Sequence, residues 1–202
     1  MSVRDFILRA RKAPSTADFS LDDISGSNFL EIIAHCICNA LFYTKQIRPQ
    51  IRVHVVLEGA GAPPKIVRLE SDELCSLGGY DERSIWEVLR RALGQGRMLE
   101  LDREVQVDDG LYVAKRSFES LVRQQCAAAP LYYLQPKGSD IRQVEFGAAA
   151  TFVFTDHLSM PKKSDRFLER LGARPINVGP KVLFASQCVV LVHNELDRQG
   201  FV

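Results

Sequence analysis

Short apolar segments with the two-residue period of strands alternate with helical stripes along most of this 202-residue chain. In the clearest strand, residues 51–57, every second side chain is aliphatic. Asp81 precedes apolar residues spaced three or four positions apart, which predicts a capped helix. Asn28 is the expected N-cap of an earlier helix that should end before Arg48-Pro49. Strands alternating with helices predict an α/β fold with a mostly parallel sheet.

The C-terminal half repeats this pattern in shorter units. Its apolar segments are residues 131–134, 148–154 and 175–178. Ser164 is expected to cap the helix that lies between the last two segments. Gly179-Pro180 is expected to open the last helix, with proline at the first helical position. Residues 189–192 fit a strand as well as a helix.

The ends of these strands define the predicted ligand site. In parallel sheets, ligands bind beyond the carboxyl ends of the strands. The loops after Leu134, Phe154 and Val178 are therefore the predicted site. Asp156-His157 lies in one of these loops. Asp156 either takes part in chemistry or caps the following turn through its own side chain, and the pattern favours neither reading.

The charge distribution limits the classes of nucleic-acid-binding protein that fit. A net charge of +1 argues against a strongly basic coat protein, although a local patch can still contact RNA. Arg9, Arg11 and Lys12 form such a patch, which is either an RNA contact or an ordinary solvated face. Glycine-rich phosphate-binding motifs and the G-x-S-x-G elbow are absent from the sequence.

Histidine and cysteine give little indication of a metal site. Cys36 would point away from His35 and Cys38 on a helix, so we interpret these as helix residues and expect no metal. His54 is interpreted as a surface or cross-strand residue. Five scattered cysteines predict free thiols in a reducing cytoplasm. No apolar run approaches the ~20 residues of a membrane helix, so we expect no membrane span.

Several short segments carry a resemblance to a known family through their shared order and spacing. They are Arg4-Asp5-Phe6-Ile7, Asp81-Glu82-Arg83, Gly110-Leu111-Tyr112-Val113, Leu131-Tyr132-Tyr133-Leu134, Asp156-His157-Leu158, Asp165-Arg166-Phe167-Leu168 and Cys188 through His193-Asn194-Glu195-Leu196-Asp197. With them, the chain resembles the TrmY family of tRNA pseudouridine N1-methyltransferases, within the SPOUT (α/β-knot) class. The similarity runs nearly from end to end.

The resemblance implies one SPOUT domain over residues 1–202, with helices on both faces of the sheet and a C-terminal trefoil knot. It also implies a homodimer that binds S-adenosyl-L-methionine at the knot, within about residues 131–197, and acts on tRNA. The implied donor-site residues are Leu134, Thr155, Val178, Leu183 and Cys188. Thr155 stands where archaeal members have glycine. The loop 179–187 also differs from theirs.

The same resemblance makes Asp156 the candidate catalytic residue. Pseudouridine has a removable proton on N1, which a nearby carboxylate can orient or accept. Cys188 would pack against the donor and would not act as a nucleophile. Two alternatives remain open. One is methylation of another RNA, such as rRNA, or of another base or ribose oxygen. The other is an RNA-binding dimer without catalysis.

Overall fold

The computed structural model describes residues 3–22 and 30–200, in which strands and helices alternate. The strands are β1 (Val3–Ala10), β2 (Phe42–Tyr43), β3 (Gln46–Ile47), β4 (Ile51–Leu57), β5 (Lys65–Glu70), β6 (Glu104–Asp108), β7 (Leu111–Ala114), β8 (Leu131–Asp140), β9 (Ala149–Thr155) and β10 (Arg174–Asn177). The helices are α1 (Leu30–Leu41), α2 (Glu82–Gln95), α3 (Phe118–Ala128), α4 (Lys162–Arg170) and α5 (Ala185–Arg198). Asn28, the expected cap of the first helix, lies outside the described residues.

Eight of the described strands form one sheet in the order β10-β8-β9-β1-β4-β5-β7-β6. The strands from β10 to β4 pair in parallel, whereas β4, β5, β7 and β6 pair antiparallel. The mostly parallel α/β sheet predicted from the sequence is therefore confirmed. The sequence does not predict β6, because this edge strand is largely exposed and lacks an alternating buried face.

Helices cover both faces of the sheet, as the resemblance implied. On one face, α1, α2 and α5 pack against Phe6 and Val53 in the larger core cluster. On the other face, α3 and α4 cover Ile7 in a second cluster. Trp86 of α2 is fully buried and donates from Nε1 to the Leu30 carbonyl oxygen at 2.9 Å. The hydrogen bond offsets the desolvation of the indole N–H.

A buried polar network joins the last helix to the sheet. His193 of α5 donates from Nε2 to the Ala40 carbonyl oxygen at 3.0 Å, and its Nδ1 accepts from Arg4 Nη1 at 2.9 Å. Arg4 also pairs with Asp197 at 2.7 Å. Burial, with the positive charges of Arg48 and Arg4, lowers the pKa of His193 to about 3. The neutral imidazole thus links β1, α1 and α5.

Strand β8 continues beyond the expected end at residue 134 and reaches Asp140. The register between β10 and β8 shifts between Pro175 and Ile176, so that β8 pairs with β10 again at Ser139 and Asp140. Gly138 permits this arrangement, since a Cβ there would lie 2.5 Å from the Ile176 nitrogen. The sequence pattern missed this pairing because the segment contains proline and glycine, which usually end a strand.

Two expected helix starts are wrong. The last helix begins at Ala185, and Gly179 has a φ of 144°, outside the helical region. Residues 189–192 are helical. Ser164 does not cap α4, because Pro161 occupies the cap position and the Ser164 hydroxyl accepts from Arg9 Nη1 at 2.7 Å.

None of the helices in the two described ranges is both long enough and apolar enough to cross a lipid bilayer. The trefoil knot implied by the resemblance stays a prediction.

Candidate functional site

Of the three loops predicted to form a ligand site, those after Phe154 and Val178 lie at the carboxyl ends of β9 and β10. The third was expected after Leu134, but β8 continues there as a strand to Asp140. The three strands are adjacent and parallel, so their carboxyl ends lie on the same side of the sheet. Leu134, Val178 and Leu183 pack against the larger core cluster, which also contains Cys188. The first three are only half-buried. Together they provide an apolar surface that a ligand can contact.

Asn177, at the end of β10, connects β8 with the loop before α5. Its Nδ2 donates to the Gly138 carbonyl oxygen at 2.5 Å, and its Oδ1 accepts from the Gly179 N–H at 3.2 Å. Asn177 therefore sets the position of the second half of β8 relative to the loop before α5. Asn177 was not predicted from the sequence as a site residue. The available signal was an asparagine shortly before Gly179-Pro180, a combination typical of turns.

The loop before α5 exposes apolar side chains. Val182 is 92% exposed and Phe184 is 65% exposed. The Gln187 side chain accepts from the Phe184 N–H at 3.1 Å and so holds the helix start. The spacing of Phe184, Cys188 and Leu191 in the sequence suggests one buried face, but Phe184 and Leu191 are exposed. Phe184 precedes the helix, and Leu191 lies at the margin of its buried face.

Asp156 follows directly after Thr155, the half-buried last residue of β9. The Asp156 side chain is only 2% exposed. Its Oδ1 accepts from the Leu158 N–H at 2.9 Å, and its Oδ2 lies 3.8 Å from His157 Nδ1. Oδ1 thus caps the following turn, which was one of the two roles considered for Asp156 from the sequence. Burial raises the pKa of Asp156, against the opposing effects of Leu158, His157 and Arg11.

Cys36 of α1 lies within electrostatic range of both Cys188 and Asp156. Burial, with smaller contributions from Cys188 and Asp156, raises the pKa of Cys36. Burial also raises the pKa of Cys188. Both cysteines therefore remain protonated thiols at neutral pH, a state suited to packing and not to nucleophilic attack.

Arg9, Arg11 and Lys12, the basic patch predicted from the sequence, do not share one exposed surface. Arg9 is buried, with both ends of its guanidinium 2.9 Å from the Glu58 carboxylate and its plane 4.2 Å from the Phe118 ring centroid. It is therefore a structural residue and cannot contact RNA. Arg11 donates to the Ser159 carbonyl oxygen at 3.4 Å, and Lys12 is exposed.

The histidine and cysteine residues considered for zinc have other partners. His35 lies 3.0 Å from Glu82, and the Cys38 thiol donates to the Tyr80 carbonyl oxygen at 3.0 Å. No group of three potential metal ligands occurs within residues 3–22 and 30–200. His54 is 2% exposed and lies 3.4 Å from Asp5 of the neighbouring strand, so the cross-strand interpretation is correct and the surface one is wrong.

Comparison with known proteins identifies the family. A family model described as "Putative SAM-dependent RNA methyltransferase" matches residues 3–201. The chain belongs to this family. A Vibrio cholerae protein named "Putative pseudouridine methyltransferase" is 40% identical over 197 residues, covering 98% of each chain. A Photobacterium profundum protein of the same name is 40% identical over 195 residues, covering 96% of this chain and 98% of the relative.

The fold of this RNA methyltransferase family member is also found in a solved structure. Archaeoglobus fulgidus Nep1 bound to S-adenosylhomocysteine aligns with a TM-score of 0.64, at 10% identity and over 99% of both chains. The SPOUT fold class is thereby confirmed. The roles of Leu134, Thr155, Asp156, Val178, Leu183 and Cys188 stay predictions.

Proposed function

We propose that this protein uses S-adenosyl-L-methionine to methylate N1 of pseudouridine in tRNA, as a single domain over residues 1–202 acting in the cytoplasm. The proposal rests on one observation above all. The buried carboxylate of Asp156 directly follows β9, at the strand ends where the half-buried apolar side chains of Leu134, Val178 and Leu183 also lie. Family membership and the names of the relatives support the same reaction.

The loop residues fit the methyl donor. Leu134, Val178 and Leu183 are half-buried and apolar, which suits the flat adenine ring. Gly179 adopts a left-handed φ of 144°, a conformation that lets backbone groups approach a ligand closely. We place the donor within residues 131–197, against these side chains, Thr155 and Cys188. When bound, S-adenosyl-L-methionine supplies an electrophilic methyl group on a sulfonium.

The chain then needs to hold the acceptor in line and remove one proton. A new bond forms between the methyl carbon and N1 while the carbon–sulfur bond breaks, and N1 loses its proton. Asp156 Oδ2 is the proposed proton acceptor, since Oδ1 is occupied by the Leu158 N–H. Alignment of the reacting atoms supplies much of the acceleration. A carboxylate of raised pKa is a stronger base than an ordinary one.

The reaction can be tested with purified protein, S-adenosyl-L-methionine carrying a labelled methyl group, and tRNA from cells that lack this protein. Mass spectrometry of the digested nucleosides should show labelled N1-methylpseudouridine. Label in rRNA, or at another atom, would instead favour a methyltransferase that acts on another RNA or on another base or ribose oxygen. Absence of donor binding by calorimetry would contradict the enzyme proposal and favour a non-catalytic RNA-binding dimer.

Cys188→Trp is expected to weaken donor binding by at least tenfold, because the larger side chain fills the space proposed for the donor. Calorimetry with S-adenosylhomocysteine measures this. Cys188→Ala is the matched control and should bind within a few fold of wild type. Overpacking a core costs about 1–3 kcal/mol, so circular dichroism must confirm that the Trp variant is folded. Wild-type affinity in the folded Trp variant would place the pocket elsewhere.

We propose further that the protein forms a homodimer through the outer surface of α5 and the preceding loop. Val182, Phe184, Val190 and Leu191 are 92%, 65%, 47% and 37% exposed. A second copy would cover these side chains across a twofold axis, with the same patch contributed by both chains. This arrangement would also cover the exposed side chains of the loop before α5, which contributes to the proposed donor site.

Leu191→Asp is expected to convert the dimer into a 22.7 kDa monomer, because it places a charge within the proposed apolar interface. Light scattering coupled to size exclusion measures the mass. Leu101→Asp serves as the control, since Leu101 is 65% exposed beside β6 at the opposite edge of the sheet. A wild-type monomer, or a dimer that survives Leu191→Asp, would contradict the proposed interface.

A further inference from the structure

The charges of α4 are sorted by face. With about 100° of rotation per residue, its four basic side chains fall within an arc of about 100°. They are Lys162, Lys163, Arg166 and Arg170, and all four are exposed. Asp165 and Glu169 lie on the adjacent side, near Tyr133. Burial and the negative charge of Glu169 raise the pKa of Asp165, so the two acids stand together, apart from the cations.

A fifth cation extends this surface onto the neighbouring helix. The Arg123 guanidinium of α3 lies 5.3 Å from the ring centroid of Phe167, which follows the basic arc on α4. We call the side chains of Arg123, Lys162, Lys163, Arg166 and Arg170 the basic ridge. Within residues 3–22 and 30–200, none of the five forms an ion pair.

Other arginines of the chain do pair with carboxylates. Arg68 pairs with Glu70 and Glu104, and Arg91 pairs with Asp108. With a net charge of only +1, enough acidic residues are present to neutralise nearly every cation. Other exposed cations in the described residues, Arg90 and Arg97 among them, also lack an ion pair, so the distinguishing feature of the ridge is the clustering of its cations along one helix face.

The ridge is unfavourable for the helix that carries it. Lys162 and Lys163 lie in the first turn, at the positive end of the helix dipole, and only Asp165 offsets them there. Lys162 and Arg166 are four residues apart, as are Arg166 and Arg170, a spacing at which like charges repel. The N-cap, Pro161, provides no side-chain hydrogen bond. Local helix stability thus gives no reason for this arrangement, whereas a polyanionic partner does.

The ridge lies close to the proposed catalytic residue. Five residues separate Asp156 from Lys162, so their Cα atoms are no farther apart than about 22 Å along an extended chain. The actual path is shorter, because Asp156 turns back onto Leu158 and Arg9 holds Ser164. A nucleotide at Asp156 would therefore have its neighbouring phosphates within reach of the ridge.

We propose that the basic ridge binds the phosphate backbone of the RNA that flanks the target nucleotide. The inference rests on the proposed function for the identity of the polyanion. The ridge supplies sequence-independent contacts that position the RNA, while recognition of the target base occurs at the strand-end loops. Lys and Arg side chains spaced along one helix face match successive phosphates of a single strand.

The test is charge reversal of the first-turn pair, Lys162→Glu with Lys163→Glu. The control, Arg90→Glu with Arg97→Glu, makes the same change in net charge at exposed positions on and just after α2, on the opposite face of the sheet. Binding of unfractionated tRNA and of purified rRNA is measured by filter binding between 50 and 200 mM salt. The ridge variant should bind on the order of tenfold more weakly, and the salt slope should fall by roughly one per cation removed.

Two further measurements separate the possible outcomes. The thermal midpoint of the ridge variant should equal or exceed that of wild type, because glutamate in the first turn favours the helix dipole. Its affinity for S-adenosylhomocysteine should be unchanged. Wild-type RNA binding by the ridge variant, or an equal loss in the control, would overturn the proposal, as would absence of RNA binding by wild type. Failure of donor binding in wild type would instead contradict the proposed enzyme and leave the RNA measurement valid.

Discussion

Asp156→Asn is expected to lower kcat by about 10²–10⁴-fold, the usual contribution of a positioned general base, while donor affinity stays within a few fold. Asparagine keeps an oxygen that can accept from the Leu158 N–H, so the turn observed at 2.9 Å should persist. It removes the basicity that Oδ2 provides. Single-turnover methyl transfer and calorimetry with S-adenosylhomocysteine measure the two effects separately.

Asp156→Ala provides the contrast, since it removes both the base and the turn contact. If Asp156 only organises the loop, the Asn variant should keep wild-type turnover and the Ala variant should lose it. If Asp156 is the base, both variants should be slow. In wild type, turnover should rise with pH through the pKa of Asp156, which burial places above its usual range. The Asn variant should lack this rise.

The second large effect concerns the pH dependence of folding. Because the pKa of His193 falls from 6.5 to about 3 on folding, protons bind the unfolded chain first as the pH is lowered. The contribution of His193 to stability is complete above pH 6.5 and is lost as the pH falls towards 3. Wild type should therefore lose about 1.4 kcal/mol per pH unit over this range from His193 alone.

His193→Gln is expected to remove this loss while it keeps the network. The Gln amide can donate to the Ala40 carbonyl oxygen and accept from Arg4, as the imidazole does. The free energy of unfolding of the variant, minus that of wild type, should be about 3 kcal/mol larger at pH 4.5 than at pH 7. Urea denaturation at several pH values measures this.

His35→Gln is the control for this measurement, since His35 is 54% exposed and pairs with Glu82 at the surface. As a surface substitution, it should change the free energy of unfolding by no more than about 0.5 kcal/mol. Parallel curves for His193→Gln and wild type would show that His193 does not titrate on unfolding as its burial beside Arg4 and Arg48 requires.

Periodicity predicted the elements whose side chains alternate between core and solvent. The strand Ile51–Leu57 and the helix capped by Asp81 are present as expected, and Asp81 accepts from the Ser84 N–H at 3.0 Å. Periodicity failed where tertiary contacts override local preference. Ser164 had the chemistry of a helix cap, but its hydroxyl accepts from Arg9, which is distant in sequence.

The site was predictable to a similar extent. The rule that ligands bind beyond the carboxyl ends of parallel strands predicted that the segments after Leu134, Phe154 and Val178 lie together. The adjacent strands β8, β9 and β10 place them on the same side of the sheet. The connection made by Asn177 was not predictable, because it depends on the register between β8 and β10. The same holds for the tight approach of Gly138 to Ile176. Such contacts depend on pairing between distant segments and leave no local pattern.

The bridge made by Asn177 has a consequence for the integrity of the C-terminal region. The proposed pocket takes residues from Leu134 to Cys188, so a donor molecule can bind only after β10 has docked on β8 and α5 has packed. Ligand binding and closure of this region are then thermodynamically linked, and a donor at one hundred times its Kd adds about 2.7 kcal/mol to the docked state. Protection of the segment 171–184 from proteolysis would rise with donor concentration. The enzyme's C-terminal quarter would thus be most resistant to degradation when the methyl donor is abundant.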